Sequence, residues 1–307
     1  MPTLKLALIG ECMAEITGQP LTSVKQNFGG DTMNTAIYMK QLMGQDSIIS
    51  FVSVMGNDAL SHAMIAKWQE YGIDTSLVLT DVTRHAGLYQ ISNDESGERH
   101  FQYWRSNSAA KFMMQHETIE QVFHQLTHYD AVFLSGISIA ILPEQDQAKL
   151  IVRLNALKKS GLKVIFDSNY RPALWSSRAT TQRVFNQLYC LADIILVTFE
   201  DEQLVWGDAD IQACYRRLRQ SAKGCIVIKD GANGCWCFNN DECINVPAAK
   251  VSKVVDTTAA GDSFNAGYLA GWLTGMPLFD SGMNGNRLAA QVIKKSGAIV
   301  SVDIDFM

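Results

Sequence analysis

Six short β-rich runs, "LKLALIG", "SIISFVSV", "DAVFLSG", "LKVIFDS", "DIILVT" and "GCIVIK", alternate with helical segments along most of the chain. Strands that take turns with helices of this length build βαβ units, so the sequence predicts an α/β fold around a mainly parallel sheet. Helices are expected at 31–43, 58–71, 143–160, 178–191 and 210–221, with Pro143 in a first helical turn, where a missing N–H costs nothing.

Residues 84–105, "RHAGLYQISNDESGERHFQYWR", interrupt the alternation. Two strand-like runs are joined through the polar "NDESGE", which contains Gly97, and this is a hairpin signal. The hairpin carries Tyr89, Tyr103 and Arg105 and is expected to serve as a flap or an oligomer contact rather than a core element. No repeat or low-complexity linker divides the chain, which predicts one domain over 1–307.

A formal net charge of −5 over 307 residues argues against a nucleic-acid partner held by long-range attraction. Any anion must therefore be bound by local groups. The N-terminal apolar run stops at Glu11, too short for a signal-peptide core or a membrane span, and it reads as the first strand. Seven cysteines, an odd number, give no disulfide framework and fit a reducing, cytoplasmic setting. Cys235 and Cys237, two apart on a strand, share a face and read as core thiols.

In "VVDTTAAGDSFNAGYLAGWLTG" (254–275) a strand-like run passes through Ala259, Ala260 and Gly261 into a helix whose first turn holds Asp262. The first amides of a helix lack intrahelical acceptors and carry the positive end of its dipole, and small side chains leave room for a phosphate oxygen to reach them. An ordinary strand-to-helix corner with a favourable first-turn acid explains the same residues. A second glycine turn, "NFGGDTMNTA", has Gly29 and Gly30 before a helix, with Asp31 placed as an N-cap and Asn34 free to hydrogen-bond a polyol. A third segment, "KVIFDSNYRPALW", places Asp167, Asn169 and Arg171 on one face if the chain stays extended, at the carboxyl end of a strand where α/β sheets bind ligands. Arg171 is a natural bidentate partner for a carboxylate or phosphate. The P-loop, dinucleotide, zincin and nucleophile-elbow motifs are all missing.

The two glycine turns, "FGGDTMNTA" at 28–36 and "DTTAAGDSFNAG" at 256–267, resemble the paired signatures of the ribokinase-like (PfkB) carbohydrate kinases in content, order and separation. Within that family "GECMAE" (10–15), "GLYQI" (87–91), "GERHFQYWR" (97–105), "LSGISIAIL" (134–142) and "FDSNYRPALW" (166–175) are similar to the kinases of keto-deoxy sugar acids, and the similarity covers essentially the whole chain. The resemblance implies a ribokinase-like three-layer sandwich with a mostly parallel central sheet and a small β-sheet lid from segments near 12–28 and 84–105. It also implies ATP as cosubstrate, Mg²⁺, and transfer of the γ-phosphoryl group to the 6-hydroxyl of 2-keto-3-deoxygluconate. A homo-oligomer, formed through the lid, is expected. A fructokinase- or ribokinase-type activity and a non-catalytic sugar-acid-binding protein on the same fold remain alternatives.

Position by position, the resemblance makes Asp262 the acceptor of the hydroxyl proton, with no need of a raised pKa, and the amides of Ala259, Ala260, Gly261 and Asp262 the anion hole. Gly30, Asn34, Tyr89, Tyr103, Arg105 and Arg171 would bind the sugar acid. The strand and loop "VIKDGANGC" (227–235) would meet the nucleotide through Lys229, Gly231 and Gly234, and Asn286 would lie beside the adenine. Many relatives carry N-x-x-E after the preceding strand; in "TFEDE" Phe199 is read at the Asn position and Glu202 at the Glu position, acting on the metal through water.

Overall fold

The computed structural model describes residues 3–18, 21, 23–93, 99–239 and 242–304. All six predicted runs are strands and lie side by side, all parallel, in the order Cys225–Lys229, Ile194–Thr198, Lys163–Asp167, Ala131–Ser135, Leu4–Ile9, Ser47–Gly56. Val78–Asp81 extends the sheet in parallel at one edge; Cys235–Asn239 and Glu242–Val246 extend it as an antiparallel pair at the other. The five predicted helices are observed as Asp31–Met43, Ala59–Glu70, Glu144–Lys159, Arg178–Leu191 and Ile211–Ser221. Two expectations about helix starts shift by one residue: Pro143 is the N-cap rather than part of the first turn, and Asp31 opens its helix with Gly30 as the cap.

Side-chain alternation explains the layering. In the first strand Ala7 and Ile9 face one core, with Phe166, Leu150, Leu154, Val184 and Leu188. Leu6 and Leu8 face the other, with Ile165, Met33, Ile37, Phe264 and Leu288. A sheet apolar on both faces needs helices on both, which is why its strands run parallel through crossover connections. Chain order reverses between Leu4–Ile9 and Ala131–Ser135, and at such a switch point the loops leaving the carboxyl ends part to open a crevice.

The expected hairpin is present as Leu88–Asn93 and Arg99–Trp104, with Tyr89 opposite Tyr103; residues 94–98 of its loop, Gly97 among them, lie outside the described residues. Met13–Gly18 pairs in parallel with Leu88–Asn93 and antiparallel with Val24–Gly29, completing a four-stranded small sheet. This is the lid sheet of the expected fold class. Cys235 and Cys237 share a buried face with Sγ atoms 4.0 Å apart, unpaired as expected. No helix among the described residues is long and apolar enough to cross a membrane.

Candidate active site

A cavity of about 450 Å³ opens between the carboxyl ends of the parallel strands and the small sheet. Its floor is built by the three segments singled out in the sequence. Gly29–Gly30 passes so close to the exit of the first strand that a Cβ on Gly30 would lie 2.3 Å from the Glu11 carbonyl oxygen, so only glycine fits. Asn34, one turn into the following helix, donates from Nδ2 to Asp262 Oδ2 at 2.9 Å, while its buried Oδ1 has no partner among the described residues.

Asp262 stands in the first turn of the helix Ala260–Leu273, entered through Ala259 in the left-handed region at φ 59. That entry bends the chain sharply enough for the Ala260 amide to bond the Thr257 carbonyl and the Ser263 amide that of Ala259. The Gly261 and Asp262 amides have no acceptor among the described residues. The four-amide hole expected at 259–262 therefore narrows, because Ala260 spends its N–H inside the turn. A Cβ on Gly261 would meet only Lys229 Nζ, at 3.8 Å, so the space in front of the free amides is open. Asp256 shapes the approach by accepting from the Thr258 amide at 3.0 Å and the Gly297 amide at 2.8 Å.

Asp167, Asn169 and Arg171 all line the cavity, but not on an extended chain as expected: the strand ends at Asp167 and Asn169 turns into the left-handed region at φ 28. Asp167 accepts from Lys229 Nζ at 3.1 Å and from Asn265 Nδ2 at 2.8 Å, and Asn169 Nδ2 donates to Asp31 Oδ2 at 2.7 Å. Arg171 is exposed and spends one N–H on the Tyr170 carbonyl at 2.9 Å. Asp31, Asp167, Glu200, Asp201 and Asp262 face only Lys229 and Arg171 across the cavity, so negative charge dominates. Burial, then the charges of Asp31 and Asp167, push the Asp262 carboxyl up to about 7, against the opposing Asn34 hydrogen bond and Lys229 charge. The chemistry does not need this raised pKa, but the site supplies it. Asp31 and Asp201 are raised too, first by burial and also by Asp167.

From the small sheet Tyr89 and Tyr103 line the cavity, their rings stacked with centroids 6.0 Å apart, and Tyr89 Oη donates to Glu15. Arg105 does not reach the lining: its guanidinium is ion-paired with the buried Glu11 carboxylate. Lys229 points into the cavity beside Asp167. Gly231 and Gly234, with φ of 51 and 92, shape the turn after its strand without lining this cavity. Asn286 is buried, donating from Nδ2 to the Val246 and Pro247 carbonyls at 3.2 and 3.0 Å.

Glu202 is a correction. It is fully buried, accepts from Tyr189 Oη at 2.8 Å and pairs with Arg217 at 2.6 Å, out of reach of the cavity. The helix Phe199–Trp206 instead turns Thr198 and Asp201 toward the cavity, along with Glu200. Thr198 and Asp201 have the same i, i+3 spacing as Phe199 and Glu202, so spacing alone could not choose between the registers. Asp31 and Ile137 also line the cavity without having been singled out for it.

The family pattern described as pfkB family carbohydrate kinase matches residues 3–305. The chain is 42% identical over 301 residues to a 2-dehydro-3-deoxygluconokinase of Haemophilus influenzae, covering 96% of this chain and 95% of that one. It is 38% identical over 307 residues to a 2-dehydro-3-deoxygluconokinase of Dickeya dadantii, covering 99% of each. The crystal structure of a fructokinase with bound ATP from Xylella fastidiosa superposes with a TM-score of 0.81 at 22% identity, over 97% of this chain and 94% of that one.

Proposed function

This chain belongs to the pfkB family of carbohydrate kinases, and from that premise we propose that it transfers the γ-phosphoryl group of ATP to the 6-hydroxyl of 2-keto-3-deoxygluconate, giving 2-keto-3-deoxy-6-phosphogluconate. The observation that carries the reading is the position of Asp262. One carboxylate oxygen is held by Asn34 from the first glycine turn, while its own amide and that of Gly261 face open space beside Lys229. A sugar hydroxyl and a phosphate group brought to this point would share a single acid.

Phosphoryl transfer asks the protein mainly for alignment and charge neutralisation. Asp262 accepts the hydroxyl proton. The Gly261 and Asp262 amides, at the positive end of the helix dipole, and Lys229 face the charge on the transferring group. Gly30, Asn34, Tyr89 and Tyr103 hold the polyol, Arg171 and Arg105 the carboxylate, and closure of the small sheet excludes water. Gly231 and Gly234 admit the nucleotide phosphates close to the backbone, and Asn286 fixes the Val246–Pro247 backbone beside the base.

The donor set fits Mg²⁺: hard carboxylate oxygens of Asp201 and Glu200 face a cavity whose excess negative charge would otherwise repel a polyphosphate. Asp201 and Glu200 would hold the ion, which would supply positive charge against that of the phosphates. Exposed Val24 and Trp104 on the small sheet support a dimer formed there, and the free thiols support a cytoplasmic setting. The position of transfer is tested by ¹H–³¹P NMR of the product: coupling of phosphorus to the C6 protons is expected, and coupling to any other carbon's protons contradicts the assignment.

A further inference from the structure

Glu11 and Arg105 meet where the small sheet joins the main one. Glu11 lies in the link from Leu4–Ile9 to Met13–Gly18, and Arg105 immediately follows Arg99–Trp104. Gly87, just before Leu88–Asn93, lies between them. The register Ala14–Leu88–Trp104 runs across the small sheet, and one step back along the first two strands and forward along the third reaches Met13, Gly87 and Arg105. A Cβ on Gly87 would lie 2.8 Å from Glu11 Oε1 and 3.3 Å from Arg105 Cβ, so the missing side chain makes room for the pair. Three of the four crossings between the sheets converge on one ion pair.

Two features make this pair a poor structural staple. The Glu11 side chain is 1% exposed and that of Arg105 14%, so both charges have given up much of their hydration. Beyond their mutual contact, neither Glu11 oxygen nor Arg105 Nε has a hydrogen-bond partner among the described residues. A buried ion pair offsets its desolvation only when its remaining polar atoms are also satisfied. The position of Arg105 is equally telling. Phe101 and Tyr103 line the cavity, and side chains two apart on a strand share a face. Arg105 therefore springs from the cavity side of the small sheet and is drawn off it by Glu11.

We infer that Glu11 is a specificity-determining residue: its carboxylate occupies Arg105 until the carboxylate of a sugar-acid substrate takes its place as the small sheet closes. The inference rests on the sugar-acid reading of the cavity. A neutral sugar offers nothing to exchange with Glu11, whereas an acid replaces one carboxylate by another and leaves the guanidinium paired throughout. The internal competitor lowers the fraction of protein ready to bind, which weakens apparent affinity in proportion.

The test uses Glu11→Gln in the full chain, comparing KM for 2-keto-3-deoxygluconate, fructose and ATP, the change in Trp104 fluorescence on titrating the sugar acid without ATP, and thermal stability. Removing the competing charge is expected to lower the sugar-acid KM and the midpoint of the fluorescence titration by about threefold or more, with the ATP KM unchanged. An unchanged or raised sugar-acid midpoint overturns the inference, as does failure of the variant to fold, because the pair would then be a structural staple. Wild-type protein that does not prefer the acid to fructose defeats the underlying reading instead.

Discussion

Asn34 Nδ2 lies 2.9 Å from Asp262 Oδ2, joining the first turns of two glycine-entered helices across 228 residues of sequence. The bond orients one carboxylate oxygen and leaves the other for a substrate hydroxyl. It also favours the ionised form, but burial and the neighbouring Asp31 and Asp167 outweigh it. The bond draws the two glycine turns together on a single carboxylate in the switch-point crevice.

Asp262→Asn keeps the bond to Asn34 through the amide oxygen and removes the proton acceptor. We expect kcat to fall by about 100-fold or more, the scale of a lost general base, with KM for ATP little changed. Near-wild-type turnover by folded protein would remove Asp262 from the reaction.

The raised Asp262 pKa sets a pH window. The base is ionised above its folded pKa, so kcat/KM of the wild type should climb as pH rises through about 7. In stability the sign is opposite. A carboxyl whose folded pKa exceeds its unfolded value stabilises the folded state below the unfolded pKa and loses that contribution as pH rises through about 7. Asp262→Asn should therefore melt higher than wild type at pH 8, by about 2 °C or more, and show no such gain at pH 4. A gain of the same size at both pH values would show that burial of the charge is not responsible.

Lys229 and Asp167 are both buried, and removing Lys229 alone leaves Asp167 without its paired cation. Lys229→Met is expected to cost about 3 kcal/mol of stability, and Asp167→Asn added to it should restore more than half of that. Additive losses in thermal melts would show that the two charges are not coupled.

Arg171→Leu should raise KM for the sugar acid by about tenfold or more, the value of a charged hydrogen-bonded contact, and leave KM for ATP within twofold. Equal effects on both substrates would take Arg171 out of the sugar site.

The register of the helix Phe199–Trp206 gives a further discrimination. Asp201→Asn should raise the Mg²⁺ concentration for half-maximal rate by about tenfold. Glu202→Gln, altering a group bound to Tyr189 and Arg217, should lower the melting temperature without moving that concentration. The reverse outcome, read from Mg²⁺ titrations of the two variants, would restore Glu202 to the metal.

These particulars show where the sequence stops informing. The runs such as "DIILVT" announce parallel strands because both faces of the sheet are covered, and the hairpin announces itself by breaking that pattern. That Asp167, Asn169 and Arg171 line the cavity follows from their place at the carboxyl end of a strand, although a turn at Asn169 (φ 28), not strand alternation, carries the chain there. The choice between Asp201 and Glu202 does not, because one residue of difference in where a helix begins exchanges cavity and core. Nor could the partner of Arg105 be read, since Glu11 reaches it only through the sheet register and the gap left by Gly87. The raised pKa of Asp262 comes first from its burial and then from Asp31 and Asp167, which come from two other elements of the fold.

The central claim is most directly tested by an ADP-release assay with 2-keto-3-deoxygluconate, fructose and ribose offered separately to the same preparation with ATP and Mg²⁺. The account predicts ADP release that depends on added sugar, with kcat/KM for 2-keto-3-deoxygluconate at least ~100-fold above either neutral sugar, the scale of charge-assisted contacts that only the acid can make. Equal or greater kcat/KM for fructose or ribose, or ADP release independent of any sugar, would contradict it.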